Sequence, residues 1–510
     1  MLIYLLPGRT GTILTLEQLY LALLVGGLVL LTSIASTRIA SGFGFPSLLL
    51  FLAFGIALGV NGLGVRFDDA QLTRNLGTVA LAVILVEGGL TTRFSDLRDV
   101  IAPASVLATL GVAVSTAITA LGAHLLLGMD WQVALLLGAT VSSTDAAAVF
   151  SVVRVLPMPR RVRGLLEAES GFNDAPAVIL VLMFSVTPLA LKPGAAVVGV
   201  LYELTLGVAI GLTCGVLGSL ALRRIALPAS GLYPLATFGL GMLAFAAAGS
   251  IHASGFIAAY LAGLVLANTG LPHRKATRSF AEGLGWLAQI GLFVLLGLLA
   301  TPSQMSGDVL PALVIGLVLL LVARPASVAL SLIGFRFAWR EQAFVSWAGL
   351  RGAVPIVLAT FPLVAGVEGS HRLLNVVFVL VVVFTLVQGP SLQPLARWLR
   401  LTGDPTREIE VEAAPLDVLG AELLTMTVNP PSRLLNVSLL ELRLPDPAVI
   451  TLIIRRGHAF VPQPETRIET ADELLIVTTT KAREAAERRL RAVSRRGKLA
   501  HWFDEYGEPD

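Results

Sequence analysis

Glu169-Ser170-Gly171-Phe172-Asn173-Asp174, followed from Ala175 to Val186 by a stretch with no further charge, decides how this chain folds. The stretch sets a carboxylate in company so apolar that only a lipid bilayer accounts for it. A charge at bilayer depth costs at least about 2.5–3.5 kcal/mol on insertion scales, so such residues persist where they handle an ion or a proton. On a helix Ser170 and Asp174, four residues apart, share one face, while Glu169 and Asn173 share the next. Asp174 and the Ser170 hydroxyl offer oxygen ligands to a monovalent cation, whereas Asn173 holds no proton at any physiological pH. The plainer reading, a carboxylate neutralised by a basic neighbour, is the weaker one for Asp174.

Composition extends this outward. The chain is 55% hydrophobic and 14% charged, against roughly 25% charged for a soluble domain. About 39 of the Lys, Arg, Asp and Glu residues lie in residues 1–400 and about 32 in the remainder, so a membrane body is followed by a soluble one. The expected division is a transmembrane body over 1–400, a linker over 401–414, a soluble domain over 415–495 and a polar tail over 496–510. The net charge of +3 does not point to nucleic acid, because the basic residues of the first body sit in short loops between apolar stretches. Cys214 is the only cysteine, which excludes an intramolecular disulfide and a cysteine-based metal site. The N-terminus lacks a basic region followed by a small-residue cleavage site, and Leu14 to Leu31 is as long as a full span, so it reads as the first transmembrane helix.

Apolar stretches recur near 14–34, 46–62, 76–92, 100–127, 132–153, 164–187, 195–222, 232–249, 252–268, 280–300, 309–333, 341–364 and 373–396. Most approach the roughly 20 residues that cross the hydrocarbon, giving about thirteen spans. Only Ser250 and His252 separate the stretch at 232–249 from the next. With an external N-terminus, the cytoplasmic loops hold about sixteen Lys and Arg, among them Arg93, Arg163, Arg223, Arg278 and Arg340. The outer segments hold about five, Arg9, Arg66, Arg74, Lys192 and Arg372. That asymmetry sets the orientation and places 401–510 in the cytoplasm.

Two more constellations interrupt the spans. Val141-Ser142-Ser143-Thr144-Asp145 is a polar break inside an apolar stretch, and backbone freed at mid-membrane is tolerated only where it lines a cavity or is buried in protein. Its bland alternative is a Ser/Thr run bonding back to its own helix carbonyls. Gly349-Leu350-Arg351-Gly352-Ala353-Val354-Pro355 places two glycines and a proline around a guanidinium that stays ionised and needs an anion, for which Glu169 is the candidate. Two interrupted helices, one in each half, are the mark of an inverted-repeat transporter. Glu87 is a candidate for the cation path or a solvated helix-end acid, Arg324-Pro325 reads as bracing a kink or capping carbonyls, and His124 and His252 read as helix-end residues. There is no phosphate cradle of the Gly-x-x-x-x-Gly-Lys-Ser/Thr type, which argues against ATP as the direct energy source. The absence of a Thr-Val-Gly-Tyr-Gly filter argues against a potassium channel.

At these motifs the chain resembles the electroneutral monovalent cation:proton antiporter family, the sodium/proton exchanger relatives of bacteria, over about residues 12–396. The resemblance implies an all-α polytopic fold of inverted repeats with two unwound crossing helices. It also implies an Asn-Asp site at Asn173 and Asp174, Thr144 and Asp145 on the unwound helix, and a ligand serine at Ser170. A buried ion pair between Glu169 and Arg351, a family acid at Glu87, and a homodimer in which a core moves past a dimerisation domain follow from it as well. Residues 415–495 are similar to the regulatory C-terminal domain of the potassium-transport type. Val449 to Pro462 reads as two strands around Arg455-Arg456-Gly457, Thr470 to Val477 as a turn and a strand, and Lys481 to Val493 as a closing helix. Together the halves resemble bacterial potassium/proton antiporters linked to cell-volume regulation.

The expectation is therefore a transporter of the inner membrane and not an enzyme. It needs no cofactor, carries potassium or sodium against protons, and has a regulator of residues 415–495 that the sequence does not identify. A sodium/proton antiporter and a cation channel gated by the cytoplasmic domain are the competing readings.

Overall fold

The computed structural model describes residues 16–43, 47–60, 62–145, 158–186, 193–225, 227–271, 273–401, 421–428, 432–479 and 482–497. The chain divides between Thr406 and Arg407 into two compact units. The second half of the stretch at 132–153, nearly all of the linker at 401–414 and most of the tail lie outside the described residues.

The membrane body is helical because its long apolar stretches must satisfy their backbone groups internally in lipid. Its helices are α1 (Leu16–Phe43), α2 (Ser47–Leu58), α3 (Ala70–Thr91), α4 (Ile101–Leu127), α5 (Trp131–Ser142), α6 (Arg160–Phe184) and α7 (Pro193–Arg224). They continue as α8 (Leu232–Ser250), α9 (Gly255–Asn268), α10 (Arg274–Leu299), α11 (Ser306–Ser331), α12 (Trp339–Trp347), α13 (Ala353–Val364) and α14 (Ser370–Trp398). Each of the thirteen apolar stretches corresponds to one of these, the stretch at 341–364 dividing into α12 and α13. The stretch at 232–249 is a helix of its own, ended by His252 at φ 56°. Among the described residues eight helices are long and apolar enough to cross a bilayer. α6 has the length, but it carries Arg160, Arg161, Arg163, Glu167, Glu169 and Asp174.

Local signals fix the ends. The Asp69 carboxylate accepts from Leu72 N at 2.9 Å and caps α3, and Asp130 does the same for α5 through Gln132 N at 2.9 Å. Gly128, at φ 62°, ends α4. There His124 bonds the Met129 carbonyl through Nδ1 at 2.8 Å and stacks on Trp131, a helix-end residue as the sequence implied.

The helices sort into two bundles. In one, α7 and α8 pack on α9, α9 on α3, and α3 and α2 on α10. Small residues let these backbones touch: a Cβ on Gly89 of α3 would lie 2.3 Å from the Tyr260 carbonyl of α9, and one on Gly263 would lie 2.8 Å from the Val86 carbonyl. In the other bundle α4 packs on α5, α6 and α11, and α14 packs on α11 and α13.

This second bundle is built twice. Each copy starts with a long helix carrying a π turn, Leu107–Gly111 in α4 and Leu319–Ala323 in α11. Each continues with a short apolar helix that gives way to non-helical backbone, after Ser142 in α5 and between Trp347 and Ala353 from α12 to α13. Gly111 lies against Ser331 and Gly122 against Val318, so α4 and α11 run antiparallel and the copies are inverted. Pro325 has no N–H for the carbonyl one turn back, which favours the wider π turn just before it.

The second unit is a four-stranded antiparallel sheet, ordered β1-β4-β2-β3, with β1 (Ala421–Thr427), β2 (Val449–Arg455), β3 (His458–Phe460) and β4 (Glu473–Thr479). The strands around Arg456-Gly457 and the strand after the turn stand where the pattern placed them. β1, which the sequence reading lacked, pairs along the whole of β4. Helix α15 (Leu439–Leu442) is a single turn, and α16 (Arg483–Arg496) packs Ala486, Leu490 and Val493 into the sheet's core. The Arg455 guanidinium forks onto Asp472, with Nε and Nη2 each 2.8 Å from a carboxylate oxygen. Burial alone would raise the Asp472 carboxyl. The bonds from Arg455 and from the Glu469 amide outweigh it and hold the carboxyl below the ordinary carboxylate range.

Candidate ion-binding site

α6 is about 37 Å long by its rise, and Asp174 lies about 21 Å from its start, near the helix's midpoint. Glu169, Ser170, Asn173 and Asp174 are all buried, at 6% exposure or less. Pro176 leaves the Phe172 carbonyl without its helical donor, loosening the backbone beside the polar pair.

The break after α5 faces this segment. Ser142 Oγ bonds back to the Ala139 carbonyl at 2.7 Å, as the plainer reading of the run expects. The next two hydroxyls turn outward. Ser143 Oγ donates to Asp174 Oδ1 at 2.5 Å, and Thr144 Oγ1 accepts from Asn173 Nδ2 at 2.5 Å. Asn173 Oδ1 is buried with no donor, an orphaned acceptor of the kind a cation satisfies.

The second break meets the first. Asp145 N donates to the Leu350 carbonyl at 3.0 Å, and Ala353 N donates to Asp145 Oδ2 at 3.3 Å. The Asp145 carboxylate therefore sits at the positive N-terminal end of α13. Gly352 makes this approach possible, since a Cβ there would lie 1.5 Å from Asp145 Oδ2.

A cavity of about 120 Å³ reaches Asp174 and Asp145 along the seam between the bundles. It opens on the side where α3 ends and α6 and α10 begin, and Glu87, Glu167 and Glu282 line it. Glu87, expected as a candidate for the cation path, thus lines the cavity that reaches Asp174. Tyr260 of α9 also lines the cavity, its ring against Gly171, where a Cβ would come within 2.7 Å of it. Ser170, expected as a ligand, turns its hydroxyl hydrogen to the Leu166 carbonyl at 2.8 Å and keeps only its lone pairs for a guest.

One expectation is corrected. Glu169 is forked by Arg324, with Nη1 at 2.5 Å and Nη2 at 2.7 Å, and not by Arg351. The reason is local. Gly349 leaves room for Arg324 to cross the broken linker, since a Cβ there would lie 2.7 Å from Arg324 Nε. Arg351 Nη1 instead donates to the Gly349 carbonyl at 3.2 Å, its own carbonyl accepts from Thr385 Oγ1 at 2.7 Å, and its Nε is buried without an acceptor. Sequence reasoning also missed Ser143 as the Asp174 partner and Glu167 and Glu282 on the approach. Ser143 stood in the polar run, whereas the two glutamates each follow an arginine by four residues near a helix start, and nothing local in the sequence marks them.

The transmembrane domain of the sodium/hydrogen exchanger family matches residues 28–398, and the TrkA-C domain matches residues 423–491. The K(+)/H(+) antiporter NhaP of Alkalimonas amylolytica is 38% identical over 471 residues, 91% of this chain and 82% of that protein. The K(+)/H(+) antiporter NhaP2 of Shewanella baltica is 35% identical over 475 residues, 91% of this chain and 81% of that protein. Among solved structures, the sodium proton antiporter MjNhaP1 of Methanocaldococcus jannaschii at pH 8 superposes with a TM-score of 0.64 at 23% identity, covering 76% of this chain and all of that one.

Proposed function

We propose that this chain, which belongs to the sodium/hydrogen exchanger family, exchanges a monovalent cation, potassium, for a proton at Asp174. The observation that carries the reading is a buried carboxylate midway along α6, beside an orphaned amide oxygen and reached by a cavity. An ionised aspartate at that depth costs several kcal/mol, so the carrier reorients readily only when a proton or a cation neutralises it. Competition for one carboxylate then couples the two fluxes.

Exchange is one for one and electroneutral in this reading. Asn173 does not titrate, and the Asp145 charge is held by the N-terminus of α13. Potassium is favoured by the relatives named for it and by the TrkA-C domain. The basic residues at the cavity's side, Arg93, Arg163 and Arg278, make that side cytoplasmic by the positive-inside rule. The C-terminal unit is then cytoplasmic, and the protein works as a homodimer in the inner membrane.

Proteoliposomes with a pH-sensitive dye test this. Potassium chloride added outside should dissipate an imposed pH gradient, sodium chloride should do so less, and Asp174→Asn should abolish the response. Exchange intact in Asp174→Asn would refute the assignment. A steady state that moves with imposed voltage would contradict electroneutrality, and current without a proton gradient would indicate a channel.

A further inference from the structure

α14 carries Thr385, Gln388 and Ser391 at three-residue spacing, which sets them along one side of a mostly apolar helix. Thr385 and Gln388 are buried, and the exchange at Asp174 uses neither. Hydroxyls on the helices of this body commonly return to their own helix: Thr78, Thr109, Thr205 and Thr237 each bond the carbonyl four residues back. Thr385 does otherwise. Its Oγ1 donates across to the Arg351 carbonyl at 2.7 Å, and Gln388 Nε2 donates to the Trp347 carbonyl at 2.9 Å. Ser391 Oγ accepts from the Trp347 indole at 2.8 Å.

These bonds fall on the break between α12 and α13, where carbonyls freed at membrane depth need partners within the protein. Each carbonyl from Trp347 to Arg351 has one. In chain order they accept from Gln388, from the Leu350 amide at 2.8 Å, from the Arg351 guanidinium at 3.2 Å, from the Asp145 amide at 3.0 Å and from Thr385. The place of the last bond matters most. Asp145 is held by the Leu350 carbonyl and by the Ala353 amide, and Arg351 lies between those two residues. Asp145 follows Ser143 and Thr144, whose hydroxyls meet Asp174 and Asn173. A run of hydrogen bonds and short stretches of backbone thus leads from Thr385 to the ion site.

We infer that Thr385 is a positioning residue for cation binding: its hydroxyl holds the second break in register, so that the first break presents its oxygens to Asp174 at fixed places. It touches neither ion itself. A cation needs several oxygens at set distances, whereas a proton needs one, so loosening this support weakens cation binding and spares proton binding. This rests on the exchange reading and names a residue that supports the same site.

The test uses the full chain in proteoliposomes with a pH-sensitive dye and titrated potassium chloride. Thr385→Val keeps the side-chain shape and loses the hydroxyl. It should raise the half-saturating potassium concentration about fivefold, the order set by one buried hydrogen bond, with the maximal rate within twofold of the parent. Because proton and cation compete, the acid side of its pH profile at fixed, subsaturating potassium should move to higher pH, and a fivefold rise in potassium should restore it. Thr385→Ala should repeat the shift, and Thr385→Ser, which keeps the donor, should match the parent. Thr237→Val removes a buried hydroxyl that bonds only within α8 and should also match the parent. Parent-like half-saturation in both Thr385→Val and Thr385→Ala overturns the inference, as does an equal rise in Thr385→Ser. A fall in maximal rate alone, in step with a lower melting temperature, assigns Thr385 to structure and overturns it too. A parent protein without cation-dependent exchange overturns the exchange reading instead.

Discussion

The buried carboxylates divide the labour between them. Asp174 has one hydroxyl donor and a route to water, whereas Glu169 is saturated by a guanidinium and serves to hold α6 against α11. Losing one member of such a buried pair strands the other at roughly 3–5 kcal/mol. Glu169→Gln and Arg324→Met should each lower the stability of the purified protein by that order, and the double variant should recover part of the loss. Arg351→Met should cost less and couple to Glu169 more weakly than Arg324 does, because its guanidinium bonds the Gly349 carbonyl and feels Glu169 only through space. A thermal-unfolding double-mutant cycle over the three positions distinguishes these outcomes, and coupling to Arg351 in place of Arg324 would reverse the pairing. That Glu169 needed an arginine was legible from a charge at membrane depth. Which arginine was not, since Arg324 beside Pro325 read as bracing a kink, and the space left by Gly349 exists only once the helices have packed.

Two breaks in apolar stretches announced the crossing helices, because Ser142 to Asp145 and Gly349 to Pro355 each disrupt a pattern that otherwise continues. Their mutual support was hidden, since the contact from Ala353 to Asp145 joins residues 208 apart. The π turns were hidden too, for Leu107–Gly111 and Leu319–Ala323 are as apolar as the helix around them. β1 escaped notice for a related reason: it is a strand by virtue of its pairing along β4. At the crossing the decisive element is the one without a side chain. Gly352→Ala would drive a methyl into the Asp145 carboxylate, so the N-terminus of α13 must move off the acid that faces it. Exchange should fall at least tenfold, equivalent to about 1.4 kcal/mol of barrier. Dye quenching on vesicles matched for protein content checks this, and near-normal exchange would mean that the contact is incidental.

At the scale of the whole molecule, the membrane body holds its own apolar clusters and the sheet-and-helix unit a separate core. A lesion confined to the second should therefore lower its stability and leave Asp174 able to exchange. Arg455 is the lesion point, because it ties β2 to the turn before β4 through Asp472, whose side chain is fully enclosed. Hydrogen bonds to charged groups contribute about 1.5–3 kcal/mol each, and Asp472→Asn should destabilise the unit by that order. The pH dependence follows from the depressed Asp472 carboxyl. A folded-state pKa below the unfolded value of about 3.9 means that this stabilisation is complete above that pH and is lost as pH falls through the folded value. Hydrogen exchange on the full-length protein, followed through β2 and β4, should show faster opening in Asp472→Asn at pH 7 and faster opening of the parent under acid conditions. The Asn variant should respond less to the same acidification, since the group that titrates is gone. An unchanged acid response in Asp472→Asn would assign the acid sensitivity of the unit to other carboxylates.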